Sequence, residues 1–416
     1  MAGDSSPPQD FRADRRPFRL APFRGLRFDP ETVGDLSTVV SPPYDVLDAD
    51  TVRRLEQANR HNIVRLILSR RFERPYVAVR ERLEDWRRCS YLLADERPSL
   101  YVYEYTAEQV TVRGLIGLAA LREESERVIL PHEDVMAGPV DDRTVLMRTT
   151  RTNLEPILLV HEGTVELRAL IGQITQTRAL ADFSTLDGST HRLWSVDQVD
   201  LLDAVAAQLA PSQVLIADGH HRYAAYLRLQ DELRPPDTPP ESSAWDYGLA
   251  MLVDQNDQAL RVGSIHRSVS ALTFADLREL SSDRGDTLDL NPDRESALAA
   301  WSESGRQDAE ASFAVSDGES WAVLRTKRTR EVDAAVLHQD LLPAWHVAEE
   351  QIGYHHSLDQ AMHATDRQPG LVVAVRPPSL AQVMDTAARG VRMPRKSTSF
   401  SPKPRMGLVM RDLRDA

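Results

Sequence analysis

The sequence predicts a mixed α/β (α+β) fold built from more than one domain. Three observations carry this expectation. Short apolar runs such as "ILLV" and "LVVAV" are bounded by turn residues, as buried strands are. Between them lie stretches with helical spacing, such as "PYVAVRERLEDWRRCSYLLAD". The chain has 416 residues, more than one small core accommodates, and 42% hydrophobic with 27% charged residues is the composition of a folded protein.

Residues 1–16 are polar and proline-bearing and read as a loose tail. An N-terminal α/β region is expected over 17–125. In it, "STVVSPPYDVLDADTVRRLEQ" reads as a short strand, a stop at Pro42-Pro43, and a helix capped by Asp48 or Asp50. "NIVRLILS" reads as a strand, and "SLYVYEYTAE" with "VRGLIGLAALRE" as an antiparallel pair. The core is expected over 126–270, with strands in "EPILLVHE" and "GSTHRLWSV", a helix in "TVELRALIGQITQT", and a strand–turn–helix in "VLIADGHHRYAAYLRLQ". A C-terminal α/β region over 271–416 contains the hairpin "ASFAVSDGESWAVLRT", turning at Asp317-Gly318, and a basic patch, "MPRKSTSFSPKPR".

Lys+Arg 50 against Asp+Glu 63 gives a net charge of −13, which argues against broad attraction to nucleic acid or an anionic membrane. No apolar run approaches the roughly 18 residues of a membrane span. Cys89 is the sole cysteine, so an intrachain disulfide or a cysteine zinc cluster is excluded. With no signal-peptide pattern at the N-terminus, a cytoplasmic location is expected. Several common chemistries fail on spacing. "HEDVM" and "HEGTV" place Met136 and Val165 where a zinc protease needs its second histidine. Arg395 stands where a phosphate-binding loop needs glycine before Lys-Ser/Thr. No G-x-G-x-x-G follows a strand, and no G-x-S-x-G elbow occurs.

"ADGHHRY" is the strongest feature. Gly219 permits a sharp strand-to-helix turn, and a helix start offers unpaired N–H groups and a positive dipole end. Arg222, His220 and His221 add donors, and Asp218 sits where a divalent cation would accompany a polyphosphate. The alternative is a helix cap at Asp218 with surface or core histidines. In "ILPHED", Glu133 beside His132 reads either as a general base toward a hydroxyl or as an exposed loop residue. In "SPPYDV", Tyr44 and Asp45 follow a rigid Pro-Pro corner, where Asp45 either orients substrate or caps a helix. Lys396 and Lys403 belong to the basic patch, suited to phosphate or carboxylate, or simply solvated.

The blocks "SPPYDV", "RVILPHE", "HRLW", "ADGHHRYAAY" and "MPRKSTSFSPKP…GLV", in order over roughly residues 20–410, resemble a bacterial and archaeal family known as domain of unknown function 1015. "DGHHRYAAYLRLQ" also looks like the nucleotide-contacting block of the ParB/sulfiredoxin superfamily, which implies a nucleotide-binding core of that type embedded in a larger mixed-sheet protein. In sulfiredoxin the block is Gly-Cys-His-Arg-Tyr. The resemblance implies phosphate contacts for His221 and Arg222 and puts His220 at the reactive cysteine's place, against sulfinic-acid repair. Free-serine kinases of that superfamily carry Asp-Gly-His-His-Arg, as Asp218 to Arg222 do here.

The implied activity is Mg²⁺- and ATP-dependent (or other nucleoside-phosphate-dependent) phosphorylation of a small hydroxyl metabolite, with free L-serine the leading acceptor. The implied roles are catalytic for Glu133, Asp218 and His220, and phosphate-binding for Gly219, His221, Arg222, Lys396 and Lys403. Tyr44, Asp45 and His132 would bind substrate, and Asp218 would hold metal. The alternative is a nucleotide-binding regulatory protein that hydrolyses slowly or not at all.

Overall fold

The computed structural model describes residues 16–68, 75–257, 260–270, 272–304 and 309–414. The expected tail, apart from residue 16, lies outside them. The chain divides into two compact units. The first takes in Met1–Pro131, Val135–Leu260 and Pro402–Ala416; the second takes in His132–Asp134 and Arg261–Ser401. Both are assembled from separated segments of chain.

The first unit is built on a nine-stranded mixed sheet. Its spatial order runs Ile129–Leu130, Val214–Asp218, Ile157–His161, Tyr247–Asp254, Val110–Ala120, Leu100–Ala107, Thr190–Val196 and Ala181–Ser184, with Leu20–Ala21 paired alongside Val110–Ala120. Val214–Asp218 is parallel to Ile129–Leu130 and antiparallel to Ile157–His161, which is itself parallel to Tyr247–Asp254. These central strands are apolar up to their last residues, His161, Asp218 and Asp254, because both faces are covered. Helix His220–Leu233 turns Tyr223, Tyr226 and Leu229 onto the core formed by Val214, Ile216, Leu159 and Leu252. A smaller sheet orders Leu92–Ala94, Gly25–Phe28, Met410–Asp412 and Thr152–Asn153.

The second unit carries a six-stranded antiparallel sheet in the order Thr287–Asn291, Trp321–Lys327, Glu310–Ser316, Gly370–Ala374, His266–Ser270 and Ile352–His355. The hairpin expected at Asp317-Gly318 is present, with Gly318 at φ 103. Arg261–Gly263 pairs separately with Ser399–Ser401.

Two local expectations are corrected, and one helix is added. "NIVRLILS" contains a helical turn, Val64–Ile67, rather than a strand. The wholly buried Asn62 accepts from the Val64 N–H (3.0 Å) and donates to the carbonyls of Thr38 and Val40, fixing that turn where a short apolar run alone is ambiguous. Before Pro42-Pro43 lies a 3-10 turn, Leu36–Thr38, capped by Asp35, and only a single bridge joins Ser41 to Met406. The helix Ala137–Thr150 was not foreseen. Its Gly138-Pro139 start resembles a break, yet proline is tolerated in a first helical turn. Among the described residues no helix is long and apolar enough to cross a membrane.

Candidate functional site

The Val214–Asp218 strand ends at Gly219, and the helix begins at the next residue. Gly219 holds φ 95, ψ 27, a left-handed conformation suited to glycine. A Cβ there would also stand 2.9 Å from Ile157 Cγ2 and 3.1 Å from Arg222 Nε. No side chain caps the helix at Gly219, and its first hydrogen bond runs from Tyr223 N–H to the Gly219 carbonyl, 2.9 Å. The corner therefore presents a first-turn dipole end uncapped by its preceding residue.

Asp218 is held between two cations. Arg222 Nη2 donates to Oδ2 at 2.5 Å, and Lys403 Nζ donates to Oδ1 at 2.7 Å. Burial opposes its charge, but Lys403, Arg222 and His220 hold its carboxyl well below the usual carboxylate range. Arg222 is only 5% exposed, and its other terminal nitrogen donates to the Pro156 carbonyl. Burial works against the guanidinium, while Glu155 and Asp218 hold its pKa above the ordinary value. Arg222 thus packs behind the Gly219 turn as a buttress, in place of the direct phosphate contact expected for it.

The network continues inward. Glu155 pairs with Arg143 (3.4 Å), Arg143 with Asp142 (2.5 Å), and the Arg143 guanidinium lies 4.8 Å from the Tyr44 ring centre. The cavity among Arg143, Glu155, Arg222 and Tyr226 is about 10 Å³, too small for a metabolite. Tyr44 therefore serves this buried network. Asp45 falls in the 3-10 turn Tyr44–Val46, and its side chain lies outside the described residues.

Lys403 is placed by its neighbours. Tyr105 Oη donates to the Pro402 carbonyl (2.6 Å), Arg405 N–H donates to Tyr103 Oη (3.3 Å), and Arg405 pairs with Asp187. Tyr103 Oη also meets His191 Nδ1 at 2.9 Å. Burial and nearby Arg405 push His191 down to about 4, so this ring is neutral at pH 7. At the corner itself, His221 Nε2 accepts from Met136 N–H at 3.1 Å. That bond leaves the proton of a neutral His221 ring on Nδ1.

His132, Glu133 and Lys396 belong to the second unit. Glu133 accepts from Lys396 N–H (2.9 Å) on Oε2 and from Ser397 N–H (3.0 Å), Thr398 N–H (2.8 Å) and Thr398 Oγ1 (2.9 Å) on Oε1. The buried His132 meets Thr398 Oγ1 through Nε2 at 2.8 Å. Since that hydroxyl's proton goes to Glu133, Nε2 is the donor. Glu133 is neither a loose loop carboxylate nor one open to take a proton.

No group of three or more His, Cys, Asp or Glu side chains suited to a metal occurs among the described residues. With both oxygens of Asp218 on cations, the metal-ligand role expected for it does not fit this arrangement.

The family model for Protein of unknown function (DUF1015) matches residues 20–348. The chain belongs to this family. No curated protein matches its sequence. Among solved structures, this DUF1015 chain is similar to a free serine kinase mutant in complex with ADP, at 14% identity and TM-score 0.39, covering 74% of this chain and 93% of that one. It is also similar to a conserved hypothetical protein from Pyrococcus furiosus, at 15% identity and TM-score 0.38, covering 73% and 96%. A third likeness is SbnI with C-terminal truncation from Staphylococcus aureus, at 11% identity and TM-score 0.36, covering 71% and 86%.

The supporting groups in this DUF1015 chain that sequence reading missed are Tyr103, Tyr105, Glu155 and Arg267. The tyrosines carry a usable signal. Tyr101, Tyr103 and Tyr105 alternate along one strand and so share a face. Glu155 and Arg267 carry none, since their partners are set by tertiary packing.

Proposed function

We propose that this protein binds a nucleoside phosphate at the Gly219 corner and transfers a phosphoryl group to a small hydroxyl metabolite. ATP with Mg²⁺ is the first donor to test and free L-serine the first acceptor. One observation carries the reading: a 14-residue helix begins directly after a buried strand, uncapped by any side chain at Gly219, with His220, His221 and Lys403 at that corner. Phosphoryl transfer asks mainly for charge neutralisation and positioning, and such a corner supplies both. Here the first-turn N–H groups, His220 and His221 receive phosphate. Asp218 orients Lys403 and Arg222, and Arg222 stiffens the turn.

Glu133 is the candidate base for the acceptor hydroxyl. The hydrogen bonds it accepts from Lys396, Ser397 and Thr398 favour a second reading, a nucleotide-binding regulator without turnover, for as long as they persist.

The test is a screen of ATP, ADP and CTP with serine and other small hydroxyl compounds, reading phosphorylated product by mass, alongside nucleotide binding by calorimetry. Phosphoserine or another phosphorylated acceptor supports the transferase. Binding without product supports the regulator, and absence of both rejects each.

A further inference from the structure

Glu133 acts in this structure as an internal anion. Three consecutive amides, those of Lys396, Ser397 and Thr398, converge on its carboxylate at 2.8–3.0 Å, and Lys396 adopts the left-handed conformation at φ 58. Successive N–H groups curved in this way form a nest, a concavity that binds anions whatever their origin. The Thr398 hydroxyl adds a fourth donor, itself oriented by His132.

The nest is braced independently of the carboxylate. Arg267 is wholly buried and donates through Nη2 to the Lys396 carbonyl at 2.9 Å, which turns the following Ser397 N–H inward. Its Nε donates to His338 (2.9 Å), another nitrogen donates to the Ile265 carbonyl, and its guanidinium lies 4.8 Å from the Tyr354 ring centre. Among the described residues no carboxylate forms an ion pair with Arg267, and Glu133 is one of the few negative charges that it senses. Ser397 Oγ closes the turn on the Pro394 carbonyl at 2.5 Å, and Met393 N–H donates to the His132 carbonyl at 2.8 Å. Without the Glu133 carboxylate, three aligned amides and a hydroxyl would still converge on one spot, with the Arg267 guanidinium bracing the turn from behind. The Glu133 side chain is 12% exposed, so that spot has an edge on solvent.

We propose that the Lys396–Thr398 nest is a binding site for the carboxylate or phosphate of a small ligand, and that Glu133 fills it until that ligand arrives. Ligand entry displaces Glu133 and frees its carboxylate to accept a proton. Only this last consequence, and not the site, rests on the phosphotransfer reading above.

The test titrates full-length wild type and Glu133→Ala with inorganic phosphate and, separately, with acetate, following the thermal midpoint in chloride buffer. Each is repeated with His220→Ala added, so that phosphate acting at the Gly219 corner is told apart from phosphate acting at the nest. The expected result is a saturable rise in the Glu133→Ala midpoint that survives His220→Ala. Wild type should need about tenfold more of the same anion, because its own carboxylate competes. Whichever anion acts at the lower concentration names the ligand's headgroup. Absence of a saturable response in Glu133→Ala, or one equal to that of wild type, overturns the proposal. Should Glu133→Ala not fold, backbone-amide NMR of wild type decides. The Lys396, Ser397 and Thr398 resonances must move at saturating phosphate or acetate, and if they stay in place the site does not exist. Product formation in the screen above is independent of either outcome.

Discussion

Asp218 and Glu133 are two carboxylates that sequence reading put into one mechanism, and each unit treats its own in a different way. In the first unit Asp218 is matched by side-chain cations, Arg222 and Lys403, and behind them runs the alternating series Glu155, Arg143 and Asp142. In the second unit Glu133 accepts from three consecutive backbone N–H groups and from the Thr398 hydroxyl. Ion pairs in a buried network depend on every member, because removing one strands the charge of another. A backbone nest keeps its donors whichever anion enters. The first arrangement suits a rigid support, the second an exchangeable site.

The largest effect that would break this contrast is expected from Asp218→Ala. It leaves buried Arg222 and largely buried Lys403 without their shared carboxylate, at a cost of about 3–5 kcal/mol. Urea denaturation checks it. A loss below about 1 kcal/mol would mean that Asp218 is not structural.

Acid should weaken both units next, so it is the common background against which the contrast is read. Burial pushes His161 and His191 in the first unit, and His266 and His338 in the second, down to about 4. Their unfolded values lie near 6.5, so between about 6.5 and 4 the unfolded chain binds more protons and stability falls as pH falls. Each ring contributes up to about 1.4 kcal/mol per pH unit in that window. Asp218, with its pKa depressed, keeps its contribution there and loses it only at lower pH. Urea midpoints from pH 7 to pH 4.5 should therefore decline in both units, and His191→Asn should shallow the slope for the first unit while His266→Asn shallows it for the second. A flat profile contradicts neutral buried rings.

The smallest effect concerns Lys403. Tyr105→Phe removes the hydroxyl on the Pro402 carbonyl, costing about 1 kcal/mol of stability. It should weaken nucleotide binding severalfold while leaving the anion response of the second-unit nest unchanged. Loss of both responses would show that the two sites are not separable.

How much of this was legible in the sequence follows from how local each signal is. The strand, Gly219 and the helix over 220–233 were readable because apolar run, turn residue and periodicity sit side by side. The Ala137–Thr150 helix was missed because Gly138-Pro139 masks its start. The partners of each carboxylate were out of reach: Lys403 is 185 residues from Asp218, and Lys396 is 263 from Glu133. Lys396 and Lys403 looked like one basic patch, yet the division between units falls at Ser401 and Pro402. Arg222 was legible as a cation at the corner, but that it faces inward depends on Pro156 and Ile157, which no local pattern reveals.

The central claim is that the Gly219 corner seats a nucleoside phosphate. Calorimetric titration of ATP and AMP into wild type and Gly219→Ala tests it most directly, because alanine cannot hold φ 95 without strain and its Cβ meets Ile157 and Arg222. Circular dichroism of both proteins confirms that the fold survives. Wild type should bind ATP, and Gly219→Ala should lose affinity by about tenfold or more, about 1.4 kcal/mol. Equal affinity in a folded Gly219→Ala protein, or no ATP binding by wild type, would contradict it.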